Sequence, residues 1–354
     1  MEINSLLSAI QGPTRVVFEP TINCNLRCPM CDRTHKSDYK KHKDEHMPTE
    51  MALEFLKSLG TMGVKHILLI GGGEPLMHPA INQFIEIIKS SNIYLHLWTN
   101  GSLITESNAG FLAKNCDMIT VSLDSPHPEV NDILRGVPGC TEKTINGLKL
   151  LRKENKESYL RIHSVLSAKN IPHLTDFIPL INEIKLNEVG GAMVNPFEFV
   201  PSDFLITEEK KPIFALKINE FCELLRKKGI ALAGCYNPIS KNKIEEIKKQ
   251  LPPIINTDPH ITCLGLWSQA TVRPNGDVSV CCFSYKPVLG NLHDMTFSEI
   301  WKSQKANTLR KTVAKGVLLD KPCAGCDLGN QVFTKLLERD GNLDAFNDML
   351  VSSR

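Results

Sequence analysis

Short apolar runs alternate with amphipathic stretches over roughly the first 200 residues of the chain. The apolar runs predict six β-strands, at Val16–Pro20, His66–Ile70, Ile93–Thr99, Met118–Leu123, Leu160–Leu166 and Val189–Phe199. The stretches between them place apolar residues at helical spacing, as in the set Ile81, Phe84, Ile85 and Ile88. They predict helices at Thr49–Leu59, Ile81–Lys89, Glu106–Lys114 and Thr141–Lys153.

Successive βα units of this kind predict a parallel sheet, and right-handed crossovers curl such a sheet toward a barrel. Because eight units close a complete barrel, six predict an α/β fold of the partial (β/α)6 TIM-like type. In these folds the chemistry lies at the carboxyl ends of the strands. The motifs described below all follow predicted strands.

The pattern changes after residue 205, where the large α/β domain (1–205) is predicted to end. Lys/Glu-rich helices at Lys211–Lys228 and Ser240–Gln250 predict a helical linker or insert over 206–258. Prolines near residues 251–259 indicate a boundary between this insert and the module that follows it. A small module over 259–330 is predicted to hold a β-hairpin around Arg273–Asp277 and a helix, and residues 331–354 predict a closing helix.

Composition limits the possible partners and compartment. The 354 residues include 41 Lys and Arg against 39 Asp and Glu, and this near-balance favours neither nucleic acid nor a membrane surface as a partner. No apolar run approaches the about 20 residues that span a bilayer, and no secretory signal is visible, so a cytoplasmic location is expected. Twelve cysteines in a cytoplasmic protein favour metal binding over disulfides.

Three cysteines, Cys24, Cys28 and Cys31, stand close together directly after the first predicted strand. On a cluster of four irons, three thiolates leave one iron open to a substrate or cofactor. A closed zinc site requires four ligands, and His35 is near enough to be the fourth. The residues alone therefore leave both an iron–sulfur cluster and zinc open.

The CxxxCxxC spacing of these cysteines resembles the signature of the radical S-adenosylmethionine (SAM) superfamily. In that family the open iron of a 4Fe–4S cluster chelates SAM, and reduction cleaves SAM to methionine and a 5′-deoxyadenosyl radical. The resemblance implies both cofactors here, with an electron donor such as flavodoxin or ferredoxin. The position before the last cysteine is commonly aromatic in the family and is Met30 in this chain, whose thioether can still pack on the adenine.

Further pieces resemble the SAM-binding positions of the same family. Gly71 to Pro75 follows the second strand and resembles the GGEP motif, in which the glycines permit close backbone approach and Glu74 would accept a hydrogen bond from the SAM ammonium. The alternative to SAM binding is a turn hydroxyl for Ser122 and a surface ion pair for Arg135. The resemblance implies cofactor-binding roles for Gly72, Gly73, Glu74, Asn100, Ser122 and Arg135.

The layout of the C-terminal cysteines resembles the auxiliary-cluster extensions called SPASM and twitch domains. The last two cysteines of the chain, Cys323 and Cys326, form a CxxC pair. Because no cysteine follows them that could bind a second auxiliary cluster, the resemblance implies one auxiliary 4Fe–4S cluster. Cys282 could replace Cys281 as a ligand. A zinc ribbon with four cysteine ligands is the alternative to the cluster. The implied ligands are Cys263, Cys281, Cys323 and Cys326.

The resemblance implies hydrogen abstraction from an unactivated C–H bond, with net oxidation favoured because an auxiliary cluster can take up an electron. Only 23 residues precede Cys24, too few for a leader-peptide-binding domain, so a small polar metabolite such as a sugar or aminocyclitol is expected. Cross-linking or epimerisation of a ribosomal peptide, or epimerisation of a sugar, is the alternative. Cys235 is a candidate hydrogen donor for an epimerisation. A non-enzymatic iron–sulfur protein leaves Glu74 and the glycines unexplained.

Overall fold

A computed structural model describes residues 12–35, 46–234, 265–281 and 287–314. The predicted helix at 240–250 and the predicted closing helix at 331–354 lie outside these residues. Among the described residues, no helix is both long enough and apolar enough to cross a membrane.

A single sheet of ten strands organises the described part of the chain. Its order is β10-β9-β8-β1-β2-β3-β4-β5-β6-β7, and every pairing from β8 to β7 is parallel, whereas β9 and β10 pair antiparallel. The strands are β1 (Arg15–Phe18), β2 (His66–Leu69), β3 (Tyr94–Thr99), β4 (Met118–Ser122), β5 (Tyr159–Leu166), β6 (Glu188–Met193), β7 (Ala231–Gly234), β8 (Gln269–Val272), β9 (Asp277–Ser279) and β10 (Val288–Asn291).

Helices alternate with the parallel strands, as the apolar spacing predicts. They are α1 (Asp32–His35), α2 (Thr49–Thr61), α3 (Ile81–Ser90), α4 (Glu106–Asn115), α5 (Pro128–Arg135), α6 (Cys140–Glu154), α7 (Phe177–Ile184), α8 (Lys211–Lys227), α9 (Gly265–Ser268), α10 (Phe297–Lys302) and α11 (Gln304–Ala314). Short 3-10 segments occur at Pro75–Met77, Ile171–Asp176, Ser202–Phe204 and Glu208–Lys210. The partial barrel with a small C-terminal module of hairpin and helix is therefore confirmed.

Three features of the sheet were not predicted. Strand β6 ends at Met193 and not at the predicted Phe199, because Pro196 lacks the N–H that a continued strand ladder requires. Strand β7, which follows α8, adds a further parallel strand beside β6. On the other side, β8 of the small module pairs in parallel with β1, so the module continues the sheet of the large domain.

The core lies between the sheet and its helices. Phe18 of β1 packs against Phe55 of α2 and Phe84 of α3, with ring centroids 5.5 and 5.9 Å apart. Phe297 of α10 also packs against Phe55, with centroids 5.1 Å apart, which fastens the module to α2. Burying such aromatic side chains stabilises the fold by about 1.5–3 kcal/mol each.

The other face of the sheet is polar. In β5 the side chains alternate, so that Leu160 and Ile162 join the apolar core while Arg161 and His163 lie on the opposite face. Arg161 lies over the ring of Trp98 from β3, 5.0 Å from its centroid. A half-buried polar surface therefore leads toward the carboxyl ends of the strands, where the cysteine loop begins.

Candidate active site

The cysteine loop connects β1 to α1 and carries Cys24, Cys28 and Cys31, all half-buried. The Cys31 N–H donates to the Cys28 carbonyl over 3.1 Å, which forms a tight turn between these two cysteines. The Leu26 N–H donates to Cys24 Sγ over 3.4 Å. The loop thus presents its cysteines from a hydrogen-bonded backbone at the carboxyl end of β1.

The C-terminal end of helix α5 contacts this loop at Arg27. The Arg27 N–H donates to the Arg135 carbonyl over 3.1 Å. Gly136, the next residue, has a φ of +71°, and a β-carbon there would lie 2.1 Å from the Arg27 carbonyl oxygen. Only glycine fits both the left-handed backbone and the close approach at this position.

The glycine-rich segment after β2 packs against the residues that lead into the cysteine loop. The Gly73 N–H donates to Thr21 O over 3.0 Å, and the Glu74 N–H donates to Asn23 O over 2.6 Å. A β-carbon at Gly73 would lie 2.0 Å from the Asn23 carbonyl oxygen. The close approach at Gly73 is therefore to the chain itself, while Gly72 beside it is half-buried.

The Glu74 carboxylate is buried, with 2% of its surface exposed. Its Oε1 accepts from the Thr99 hydroxyl over 2.6 Å and from the Leu76 N–H over 3.2 Å, and its Oε2 accepts from the Asn100 N–H over 2.7 Å. Burial raises the pKa of Glu74 to about 7, although these hydrogen bonds lower it. Both oxygens therefore hold the end of β3 against the end of β2.

Asn100 links the same strand end to the cysteine loop. Its side-chain amide donates to Asn25 Oδ1 over 2.9 Å and lies 4.0 Å from Cys24 Sγ. Its Oδ1 accepts from both the backbone N–H and the hydroxyl of Ser102, which in turn accepts from Asn25 Nδ2 over 2.8 Å. Glu74 and Asn100 thus form a continuous polar network under the first cysteine.

Arg135 is buried, so the alternative of a surface ion pair is wrong. Its Nη2 donates to Asp124 Oδ1 over 2.7 Å, and the guanidinium lies close enough to Cys28 for its charge to act on that thiol. Burial raises the pKa of Asp124 despite the neighbouring Arg135, which lowers it. Arg135 Nε and Asp124 Oδ2 are buried without a hydrogen-bond partner in the described structure.

Ser122 faces the polar side of the sheet at the end of β4. Its hydroxyl accepts from Trp98 Nε1 over 3.1 Å. Trp98 also contacts His163, with ring centroids 4.8 Å apart. Ser122 and His163 are register partners in neighbouring strands, so the three side chains form one group.

His163 is a residue that sequence reasoning missed. Burial, together with the charges of Arg161 and Arg135, lowers its pKa to about 3, so the imidazole is neutral at ordinary pH. Its ring nitrogens make no hydrogen bond to any other described residue, and a β-carbon at Gly190 would lie 2.8 Å from its Nδ1. The alternation within β5, which places His163 opposite the apolar core face, was the signal available in the sequence.

The donor set at the three cysteines fits an iron–sulfur cluster. Burial raises the pKa of Cys24, and that of Cys28 to about 12, so these thiols need a cation to become thiolates. The buried, partly unpartnered guanidinium of Arg135 beside Cys28 suits a site that gains negative charge. The N–H groups directed at Cys24 Sγ are of the kind that tune cluster sulfurs.

The same geometry supports zinc less well than a cluster. Sulfurs on tetrahedral zinc lie about 3.8 Å apart, from a Zn–S length of about 2.3 Å. Within the described residues, the trio of metal-ligating atoms that lie within 4.8 Å of one another is formed by His127, His173 and Asp176, not by the cysteines. His35, the candidate fourth ligand, has its Nε2 2.8 Å from the Pro29 carbonyl oxygen.

Of the auxiliary-cluster cysteines, Cys281 lies within the described residues. It is half-buried, two residues after the end of β9, and packs against the core. Its carbonyl accepts from the Ser279 hydroxyl over 3.3 Å. The predicted positions that fall outside the described residues are Cys235, Cys263, Cys282, Cys323 and Cys326.

Comparison with known proteins gives two family matches. Residues 18–193 match the radical SAM superfamily, and residues 263–327 match SPASM, an iron–sulfur cluster-binding domain. The first match spans the strands β2 to β6 with the cysteine loop, and the second spans the small module. Together these matches imply a 4Fe–4S cluster, SAM and an auxiliary iron–sulfur centre.

Similarity to individual proteins extends over most of the chain. An AdoMet-dependent heme synthase of Methanosarcina barkeri is 27% identical over 341 residues, which cover 91% of this chain and 93% of that protein. The PqqA peptide cyclase of Gluconobacter oxydans is 23% identical over 330 residues, covering 89% and 83%. The structure of Streptococcus suis SuiB bound to its precursor peptide SuiA shares the fold, with a TM-score of 0.65, 16% identity and coverage of 93% and 73%.

Proposed function

Since the chain belongs to the radical SAM superfamily and carries a SPASM iron–sulfur domain, we propose that it oxidatively modifies a peptide at an unactivated C–H bond. The observation that carries this proposal is the similarity to PqqA peptide cyclase over 89% of the chain. The shared fold with SuiB, which was solved with a bound precursor peptide, supports it.

The relatives do not support the small polar metabolite expected from the sequence. That expectation depended on the short segment before Cys24, and none of the relatives described above is named for a sugar or an aminocyclitol. The alternative, modification of a ribosomal peptide, is therefore the better supported substrate class.

The cofactors supply the radical chemistry: with the cluster reduced, SAM yields a 5′-deoxyadenosyl radical that removes a hydrogen atom from the substrate. We assign the cluster ligands to Cys24, Cys28 and Cys31 within the domain 1–205. Arg135 favours the thiolate form of Cys28 by its charge. A cytoplasmic flavodoxin or ferredoxin is the electron donor we expect.

Glu74 acts on SAM indirectly in this proposal. Both of its oxygens accept hydrogen bonds from Thr99, Leu76 and Asn100, so its first effect is to fix the backbone at the end of β3. The backbone of Gly72 and Gly73 then borders the SAM site. Asn100 and Ser122, at the ends of β3 and β4, and Arg135 remain our candidates for contact with SAM.

An auxiliary cluster in the small module would supply the electron acceptor for a net two-electron oxidation. After loss of a hydrogen atom, the substrate radical must give up one electron and one proton to become a stable product. We assign the electron to one cluster in the module 259–330, held by Cys263, Cys281, Cys323 and Cys326, with Cys282 as the alternative to Cys281. The proton leaves to solvent, and His163, whose pKa of about 3 makes it a weak base, stays a neutral hydrogen-bonding group at the site.

Two other outcomes are distinguishable. An epimerisation, with Cys235 as hydrogen donor, leaves the product mass unchanged in ordinary water and introduces one solvent deuterium in deuterated buffer. A haem-type tetrapyrrole is a second candidate substrate, because the heme synthase relative matches 91% of this chain and 93% of its own length.

The test is co-expression of the full chain with each short peptide encoded next to its gene, followed by mass spectrometry. We expect a peptide two hydrogens lighter than its precursor, and no change when Cys24, Cys28 and Cys31 are all replaced by Ala. The Cys323→Ala/Cys326→Ala variant should still cleave SAM but leave the peptide unoxidised. Oxidation of an added carboxylated porphyrinogen with every peptide unchanged would overturn the peptide proposal.

A further inference from the structure

A group of metal-ligating side chains lies outside the cysteine sites. His127 stands between Pro126 and Pro128, in the loop that joins β4 to α5. His173 and Asp176 lie in the 3-10 segment Ile171–Asp176 that follows β5. The carboxyl ends of two adjacent parallel strands thus bring the three residues together.

The ligand atoms already lie at nearly coordinating separations. His127 Nε2 is 2.9 Å from Asp176 Oδ2, and His173 Nδ1 is 3.5 Å from the same oxygen. All three atoms lie within 4.8 Å of one another. Ligands of a tetrahedral zinc at about 2.0–2.1 Å are about 3.3 Å apart, so small side-chain movements would complete the site.

A second carboxylate lies behind the first histidine. Glu129 Oε1 is 3.9 Å from His127 Nδ1, on the side of the ring opposite Asp176. Metal-binding histidines generally direct their second nitrogen at a carboxylate, carbonyl or water, which fixes the ring and raises its basicity. This arrangement at His127 is one that a bare surface ion pair does not require.

The local backbone fixes His127 and leaves the Asp176 side chain available to a metal. Asp176 precedes helix α7 but makes no capping hydrogen bond with its side chain, so its carboxylate is directed to the two imidazoles. The His127 carbonyl accepts from the Val130 and Asn131 N–H groups, which fixes the backbone at the start of α5. The three side chains are between 38% and 44% exposed, so a cation has access.

We propose that His127, His173 and Asp176 bind a divalent transition-metal cation, with zinc as the best-fitting one. Two imidazoles and a carboxylate suit zinc, nickel or cobalt, whereas magnesium and calcium prefer oxygen ligands. The two carboxylates of Asp176 and Glu129 balance the charge of the cation. One coordination position would be left for water.

Metal at this site would act on the cysteine loop through helix α5. The helix begins beside His127 and ends at Arg135 and Gly136, which contact Arg27 and Cys28. A cation would tie the start of α5 to the segment after β5. Because the cation binds the folded protein preferentially, it should also raise thermal stability.

The test uses the full-length protein with its iron–sulfur clusters reconstituted, so that the cluster cysteines are occupied. After chelator treatment, zinc is titrated anaerobically by calorimetry and bound zinc is counted beside iron by elemental analysis. We expect one zinc equivalent with unchanged iron, and a higher melting temperature. His127→Gln, His173→Gln and Asp176→Asn should each weaken zinc binding at least about tenfold.

The matched control is His293→Gln, which removes an exposed histidine of the small module and should leave zinc binding unchanged. Iron content equal to that of the parent shows that each variant is folded, and any one of the three substitutions suffices for the comparison. The proposal is overturned if the parent takes up no zinc. It is also overturned if zinc binds with the same affinity to every variant that keeps its iron.

Discussion

Glu74 Oε2 accepts the backbone N–H of Asn100 over 2.7 Å, which joins the glycine-rich segment after β2 to the residue that contacts the first cysteine. The side chain of Asn100 then reaches Asn25 of the cysteine loop over 2.9 Å. A buried carboxylate therefore organises the loop through an amide. This link makes loop stability depend on the protonation of one group.

The pH dependence of stability should change in Glu74→Gln. Because the pKa of Glu74 is raised from 4.5 to about 7, the folded protein holds a proton that the unfolded chain releases. Its contribution to stability is therefore complete below pH 4.5 and falls as the pH rises through 7. Glutamine does not titrate, so the melting temperature of the variant should fall less than that of the parent between pH 5 and 8. Parallel pH curves for the two proteins would contradict this expectation.

Gly136→Ala should displace the cysteine loop. The added β-carbon would lie 2.1 Å from the Arg27 carbonyl oxygen, so we expect loss of iron from the first cluster as well as backbone strain of about 1–3 kcal/mol. Gly139→Ala is the matched control, since Gly139 also has a positive φ but no atom within 4 Å of the added carbon. Equal iron content in the two variants would show that the contact with Arg27 is not needed.

Asp124→Asn should destabilise the protein by about 3–5 kcal/mol, because it leaves the buried guanidinium of Arg135 without its carboxylate. Glu208→Gln, which breaks an exposed pair with Lys211, should cost no more than about 1 kcal/mol. Urea unfolding of both variants measures the difference. Similar small losses for the two would mean that Arg135 is stabilised by other neighbours.

His163→Gln should separate SAM cleavage from product formation. Iron content and reductive cleavage of SAM should persist, while oxidation of the peptide falls because the ring that packs on Trp98 beside the site is lost. Since the pKa of His163 is about 3, the parent should show no loss of activity from protonation of this residue between pH 5 and 8. A variant that oxidises the peptide at the parental rate would exclude His163 from the reaction, and His293→Gln serves as the control.

Metal content tests the two cysteine sites together. Anaerobically reconstituted protein should contain about eight irons per chain, as two 4Fe–4S clusters. Replacing Cys24, Cys28 and Cys31 by Ala should remove about half of the iron. Stoichiometric zinc with no sulfide would contradict both cluster assignments.

The strands up to β6 and the helices α2, α3, α4 and α6 could be predicted from the sequence because they depend on local periodicity, as the agreement at Ile81–Ser90 shows, whereas α5 and α7 were not predicted. The spacing of the three cysteines likewise indicated a metal site, since ligands within one short loop need no distant partner, and the resemblance of that spacing to the radical SAM signature pointed to the cluster. Strand β7 and the parallel pairing of β8 with β1 could not be predicted, because they arise from contacts between distant segments.

The roles of individual polar side chains were decided by the tertiary structure. The sequence pointed to Glu74 and Arg135 as residues of the site, but only the fold shows that Glu74 binds Asn100 and that Arg135 is buried against Asp124 and Cys28. The meeting of His127 with Asp176, 49 positions apart, depends on the parallel register of β4 and β5. Periodicity specifies which face of an element is buried, whereas the partner across that face is specified only once the strands are aligned.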